Sequence, residues 1–170
     1  MDNKNYTFFW KTESPFSNWH QDEFIIDGVK FKNTEMHMMW KKAMLFGDAD
    51  TAEEILKAKH PKDCKALGRK VKGFDKDIWE ENCKQFVYDG NYAKFTQNKS
   101  LLKKLMDTGN TKICEASPYD SIWGLGVSEE DAKKLPEEKW PGTNWLGSIL
   151  TQLREDLKKQ SNNKKIIAIG

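Results

Sequence analysis

An α+β fold, mostly helical with a small N-terminal β-hairpin or sheet, is the architecture this sequence predicts, and three observations carry it. Apolar residues recur at helical spacing over much of the chain, most clearly in the last long segment at Leu146, Ile149, Leu150, Leu153 and Leu157. Strand-like runs are few and short. One pair of them, residues 23–26 and 29–31, is split by Asp27-Gly28, a strong short-range hairpin signal. A chain of 170 residues fits one domain with a substantial core. We place that domain at residues 1–160 and treat residues 161–170 as a C-terminal tail, either frayed or added as an edge strand.

In chain order, Tyr6-Thr7-Phe8-Phe9-Trp10 reads as a buried aromatic strand. Residues 14–19 are loop chemistry with Phe16 and Trp19 set in it, and the hairpin follows. Asn33 or Thr34 caps the next helix and Gly47 ends it. Residues 50–59 form a short amphipathic helix with Ile55 and Leu56 inward. Pro61 opens another, capped by His60 or its neighbour, that runs to Arg69. Residues 72–75 connect it to a longer helix containing Ile78, Trp79, Cys83, Phe86 and Val87, which either continues through Gly90 or restarts after it. Ser100 is expected to cap a helix over 101–106. Residues 112–116 are strand-like, 117–126 irregular, and 128–141 a charged surface loop with room for one helical turn. Thr143 or Asn144 caps the final helix.

Composition narrows the function classes. Hydrophobic residues are only 38% of the chain, but seven Trp and nine Phe supply large buried areas. A net charge of +2 gives no strong general field toward nucleic acid, although a local basic patch stays open. Three widely spaced cysteines, Cys64, Cys83 and Cys114, argue against a disulfide framework and a zinc site. A reduced, cytoplasmic protein is the simplest expectation, a monomer with no metal and no cofactor. No signal-peptide h-region is seen, and no apolar run approaches the roughly 18 residues that span a membrane.

The segment with most chemical content is the first long helix. Glu35 and Lys42 are seven residues apart, about 700° of helical turn. They therefore share a face, with Met38 and Met39 between them. An acid and an amine on an apolar face are out of place in a plain surface helix. Burial would lower the amine's pKa, and a neutral amine is a nucleophile beside a carboxyl that can act as acid, base or hydroxyl clamp. The plain alternative is a capping acid and a snorkelling lysine. No dinucleotide, Walker, zinc or nucleophile-elbow motif is present. Instead, polar residues sit in aromatic loops: Asn18 between Phe16 and Trp19, Asp120 before Trp123-Gly124, and Asn144 in Trp140-Pro141-Gly142-Thr143-Asn144-Trp145-Leu146-Gly147. Aromatic faces with a few amides and acids suit a nucleoside or nucleotide. Gly124 and Gly147 let backbone N–H groups come near a phosphate, and Arg69 supplies positive charge. Each also has an ordinary reading as core filler, helix cap or turn glycine.

Taken together, these segments resemble the NADAR family of YbiA-like N-glycosidases, from about Tyr6 to Leu157. The resemblance is carried by Pro15-Phe16-Ser17-Asn18, by Glu35 through Lys42-Ala43 and Leu45-Phe46-Gly47-Asp48, and by Gly68-Arg69-Lys70-Val71-Lys72-Gly73-Phe74. It continues in Asn91-Tyr92-Ala93-Lys94-Phe95, Thr108-Gly109, Glu115-Ala116-Ser117-Pro118, Asp120, Ile122-Trp123-Gly124 and residues 142–147. It implies an α+β fold with one pocket, and hydrolysis of N-glycosidic bonds to ribose. By the same resemblance Glu35, Lys42, Asp120 and Trp123 are the catalytic candidates. Asn18, Trp19, Arg69, Trp79, Lys94, Gly124, Asn144 and Gly147 are the ligand-binding ones. Asp120 would fix the amine or activate water, and Trp123 would stack on substrate or wall off solvent. The chain departs from the family pattern at Met36, His37, Lys41 and Pro141; the last puts in doubt a phosphate or nucleic-acid contact near the final helix. The expected substrate is an ADP-ribosylated guanine base, free or in nucleic acid. The alternatives are a riboflavin-pathway phosphoribosyl intermediate, or ADP-ribose bound without cleavage.

Overall fold

The computed structural model describes residues 5–169, with side chains to Lys164. The fold is mostly helical α+β, and the chain forms two compact units, one of residues 11–101 and the other of residues up to Trp10 with those from Leu102 on.

The first unit is built around α1 (Thr34–Leu45). Its start is set by Asn33, whose side chain accepts the Met36 N–H at 2.7 Å. Its end is set by Gly47 at φ +73, with Gly47 N donating to Met44 O and Asp48 N to Ala43 O. That pair of bonds is the glycine-terminated ending the sequence predicts. The hairpin is β2 (Phe24–Ile26) and β3 (Val29–Phe31), with Phe24 opposite Phe31. Asp27 and Gly28 lie at φ 50 and 80, as a two-residue primed turn requires. Then come α2 (Ala49–Lys57), capped by Asp48, and α3 (Pro61–Gly68), capped by His60. The helix α4 (Lys76–Gln97) is capped by Asp75. All three pack on α1, and the hairpin packs on α1 and α4.

The helix α4 passes through Gly90 without a break. A Cβ there would stand 2.7 Å from His37 Nδ1, so the glycine permits close approach of α1 and is not a helix stop. His37 is buried with no partner for either ring nitrogen, edge-on to Phe31 at 4.9 Å. Burial, reinforced by Lys41, lowers its pKa to about 4, so it is a neutral core residue.

In the second unit β1 (Tyr6–Phe9) pairs in parallel with β4 (Lys112–Glu115), not with the hairpin. The N-terminal β-structure is thus two separate sheets. Their partner choice is a long-range matter that local pattern does not encode. Cys114, Ala116, Leu125 and Ala132 form one buried cluster, with Tyr6, Phe8, Val127 and Trp140 packed against it. The helix α5 (Lys99–Met106) begins ahead of Ser100, which therefore does not cap it. Residues 128–141 contain α6 (Glu129–Lys133), capped by Ser128, and a 3-10 turn at Glu137–Lys139. The last helix, α7 (Trp145–Ile169), packs on β4 and continues to Ile169, so residues 164–169 extend a helix and not a sheet edge. Gly170, and the side chains beyond Lys164, lie outside the described residues.

Candidate active site

Lys42 and Glu35 sit in α1 as the seven-residue spacing dictates. Glu35 is buried at 5% exposure, its N–H donating to Asn18 O at 3.0 Å. Lys42 is half-buried. Its amine stands 4.6 Å from the centroid of the Phe74 ring and 5.5 Å from that of Trp79. Burial is the main cause that lowers the Lys42 pKa; Glu35 pulls it back up and Arg69 pushes it further down. Both of these charges therefore act on the Lys42 amine. Arg69 is exposed at the C-cap of α3. It reaches this region because Gly68 leaves room for Met39 of α1, whose Sδ would be 2.0 Å from any Cβ there.

The loop before the hairpin is fastened to the start of α1. Thr34 Oγ1 donates to Asn18 Oδ1 at 2.7 Å and Asn91 Nδ2 approaches the same oxygen at 3.5 Å. Lys94, one turn after Asn91 in α4, donates to Ser17 O at 3.1 Å and lies 3.9 Å from Asp22 Oδ2, which also pairs with His20 Nδ1. Lys94 has no exposed surface, and burial, opposed by Asp22, lowers its pKa to about 8. Its amine holds the loop that carries Asn18. Trp19 is half-buried, edge-on to His60 at 5.9 Å, with Lys65 6.0 Å from its ring. An open cavity of about 430 Å³ lies behind Phe46, lined also by Gly47, Asp48, Ala49, Asp50, Lys72 and Gly73. Neither Glu35 nor Lys42 lines it.

In the other unit Asp120 is half-buried, and its Oδ1 accepts the N–H groups of Ile122 and Trp123, each at 2.9 Å. That turn aims Trp123 edge-on at Trp145, 5.4 Å away. Gly124 is required by crowding: a Cβ would meet Glu115 O at 2.8 Å and Asp120 O at 2.9 Å. Asn144 does not cap α7 with its side chain. It is buried at φ +50, its Oδ1 accepts Glu115 N at 3.0 Å, and its Nδ2 donates to Ile113 O at 3.1 Å. The side-chain amide is thus spent on β4. Gly147 lets α7 press onto the same strand, since a Cβ would stand 2.2 Å from Ile113 O.

Glu35, Lys42, Arg69 and Trp79 thus belong to one unit, together with Asn18, Trp19 and Lys94, while Asp120, Trp123, Gly124, Asn144 and Gly147 belong to the other. Sequence reasoning gave Phe74 no site role, naming it only as part of a connector and of the segment 68–74 that carries the resemblance. The signal available was an aromatic residue one position before the helix cap Asp75. Among the described residues no cluster of His, Cys, Asp and Glu is arranged to hold a metal, and no helix is long and apolar enough to cross a membrane.

A mostly helical α+β domain with a half-buried amine and a buried carboxyl on one helix face defines the class. The chain belongs to the NADAR family, whose domain model matches residues 8–158. It is 38% identical over 167 residues to the N-glycosidase R617 of Acanthamoeba polyphaga mimivirus, covering 92% of this chain and 98% of that one. It is 32% identical over 112 residues to the riboflavin biosynthesis protein PYRR, chloroplastic, of Zea mays, covering 64% of this chain and 16% of that one. The solved structure of the Escherichia coli protein YbiA matches with a TM-score of 0.76 at 25% identity, over 95% of this chain and 89% of that one.

Proposed function

We propose that the protein hydrolyses an N-glycosidic bond to ribose, and specifically that it releases ADP-ribose from ADP-ribosylated guanine. The observation that carries this is Lys42: an amine with accessible surface, a pKa lowered by burial, and a buried carboxyl on its own helix face. The N-glycosidase relative, matched over nearly its full length, supports the bond class. The neutral amine's lone pair attacks C1″. The C1″–N bond breaks with its electron pair going to the base nitrogen, which takes up a proton. The ammonium on C1″ loses a proton, the ring C1″–O bond opens with protonation of that oxygen, and an iminium links Lys42 to the open sugar. Water adds at C1″, the amine leaves, and the sugar closes. The net change is addition of one water across the glycosidic bond. Glu35 moves protons or holds ribose hydroxyls, and Arg69 meets phosphate.

A second reading, cleavage of a riboflavin-pathway phosphoribosyl intermediate, is favoured by the PYRR similarity, which covers only part of this chain. Incubation with ADP-ribosyl-guanosine and, separately, with the riboflavin intermediate, followed by mass spectrometry, separates the two. Release of ADP-ribose from the first alone supports the proposal. Turnover of the second alone replaces it. Binding of ADP-ribose without turnover of either would make the protein a reader of that ligand.

A further inference from the structure

The rings of Phe74 and Trp79 are each packed on one aromatic neighbour and each keeps accessible surface. Phe74 is a large apolar side chain left 46% exposed, and its neighbour Ile78 is 43% exposed. Burial therefore takes up only part of the Phe74 ring. It is nevertheless held firmly. Lys72 N donates to Asp48 Oδ2 at 2.9 Å just before it, and Asp75 just after it caps α4 by accepting Ile78 N at 3.1 Å. Gly73, at φ +79, turns the chain between these two pins. Phe46 braces the Phe74 ring edge-on at 5.5 Å, and Trp79 is braced by Phe86 at 6.1 Å. The connector and the first turn of α4 thus present two partly open rings beside one amine.

Distance gives those faces a use. A carbon attacked by the Lys42 amine must approach it to about 3–3.5 Å, and the leaving base nitrogen is one bond further out. The two ring centroids stand 4.6 and 5.5 Å from the same amine. Whatever planar group departs from that carbon does so within reach of both rings. From this geometry we infer that Phe74 and Trp79 form a stacking subsite for the planar leaving base, with Phe74 the residue that grips it. The inference rests on Lys42 acting at C1″, and it adds what the amine and carboxyl leave unassigned: recognition of the departing group. Stacking tolerates any planar base, so the subsite selects aromatic over non-aromatic leaving groups without reading base edges.

The test uses guanosine as the base-bearing product and ribose as the control without a π face. Each is titrated by saturation-transfer NMR against the wild-type chain and the Phe74→Ala, Phe74→Leu and Phe74→Tyr variants, with circular dichroism confirming that each variant is folded. Guanosine affinity is expected to fall about tenfold in Phe74→Ala, to fall nearly as far in Phe74→Leu, and to be retained in Phe74→Tyr, while ribose is unaffected throughout. Leucine serving as well as tyrosine would reduce the site to an apolar wall and overturn the inference. So would guanosine affinity unchanged in a folded Phe74→Ala, or a wild type that binds no guanosine. Binding with the expected variant pattern, but no hydrolysis of ADP-ribosyl-guanosine, would keep the subsite and reject the proposed function.

Discussion

Two lysines in the same unit, Lys42 on α1 and Lys94 on α4, both have pKa values pushed down by burial, yet their surroundings differ. Lys94 has no exposed surface, a backbone carbonyl at 3.1 Å and the Asp22 carboxylate at 3.9 Å. Lys42 keeps accessible surface and meets two aromatic rings, with Glu35 and Arg69 as the charges that act on it. A depressed amine pKa is therefore not in itself a mark of a nucleophile. The amine must also be reachable, with hydrogen-bonding capacity that is not already committed to the fold. Lys94 fixes Ser17 and hence Asn18, whose carbonyl accepts the Glu35 N–H. It acts on the candidate site through the chain.

The largest expected effect separates the two by activity. Lys42→Arg and Lys42→Ala should both lose at least about 10³-fold in kcat, since arginine keeps the charge but cannot be the amine nucleophile. Borohydride added during turnover should give wild type alone the mass of reduced ADP-ribose, mapped by peptide mass spectrometry to Lys42. Lys94→Met should lose no more than about 10²-fold, because it disturbs positioning only. A Lys42→Arg chain that keeps most of its rate, or an adduct on Lys94, would break the comparison. Next, Glu35→Gln should lower kcat by about 10²–10⁴-fold with ADP-ribose affinity, read by calorimetry, much less affected. Equal losses would make Glu35 a ground-state binding group.

Stability gives the smaller effects. His37 has a folded pKa of about 4 against an ordinary 6.5, so the unfolded chain binds the extra proton first as pH falls. Its contribution is present above pH 6.5 and is lost between 6.5 and 4, amounting to about 3 kcal/mol. His37→Leu loses no hydrogen bond, as neither ring nitrogen has a partner, and should flatten the acid limb of a denaturation series. For Lys94 the folded pKa of about 8 lies below the ordinary 10.5. The unfolded chain then holds more protons between those values, and stability should rise with pH across that window. Lys94→Met should abolish this rise. Last, Asn144→Ala should cost about 2 kcal/mol in thermal melts by removing both bonds to β4. Asn144→Gly should cost less by about 1 kcal/mol, because it loses the same bonds but is at ease at φ +50.

Local chemistry was legible wherever neighbours in sequence settle the outcome. The helix start at Asn33 or Thr34, the glycine ending at Gly47, the Asp27-Gly28 hairpin and the shared face of Glu35 and Lys42 all follow from turn chemistry and helical period. Gly90 was ambiguous because its meaning lies in His37, a residue on another helix. Asn144 looked like a cap because caps and strand pins use the same amide, and the choice depends on whether β4 is in reach.

The sequence by itself therefore determined the fold class, the family and the acid–amine face of α1, since periodicity and ordered motifs are properties of the chain alone. Only the tertiary structure decided that β1 pairs with β4, that Lys94 is sealed and Lys42 reachable, and that Phe74 stands beside that amine. Each of these depends on distances between segments far apart in sequence. Burial, which sets both the pKa of an amine and its access to substrate, is fixed by packing from all sides at once.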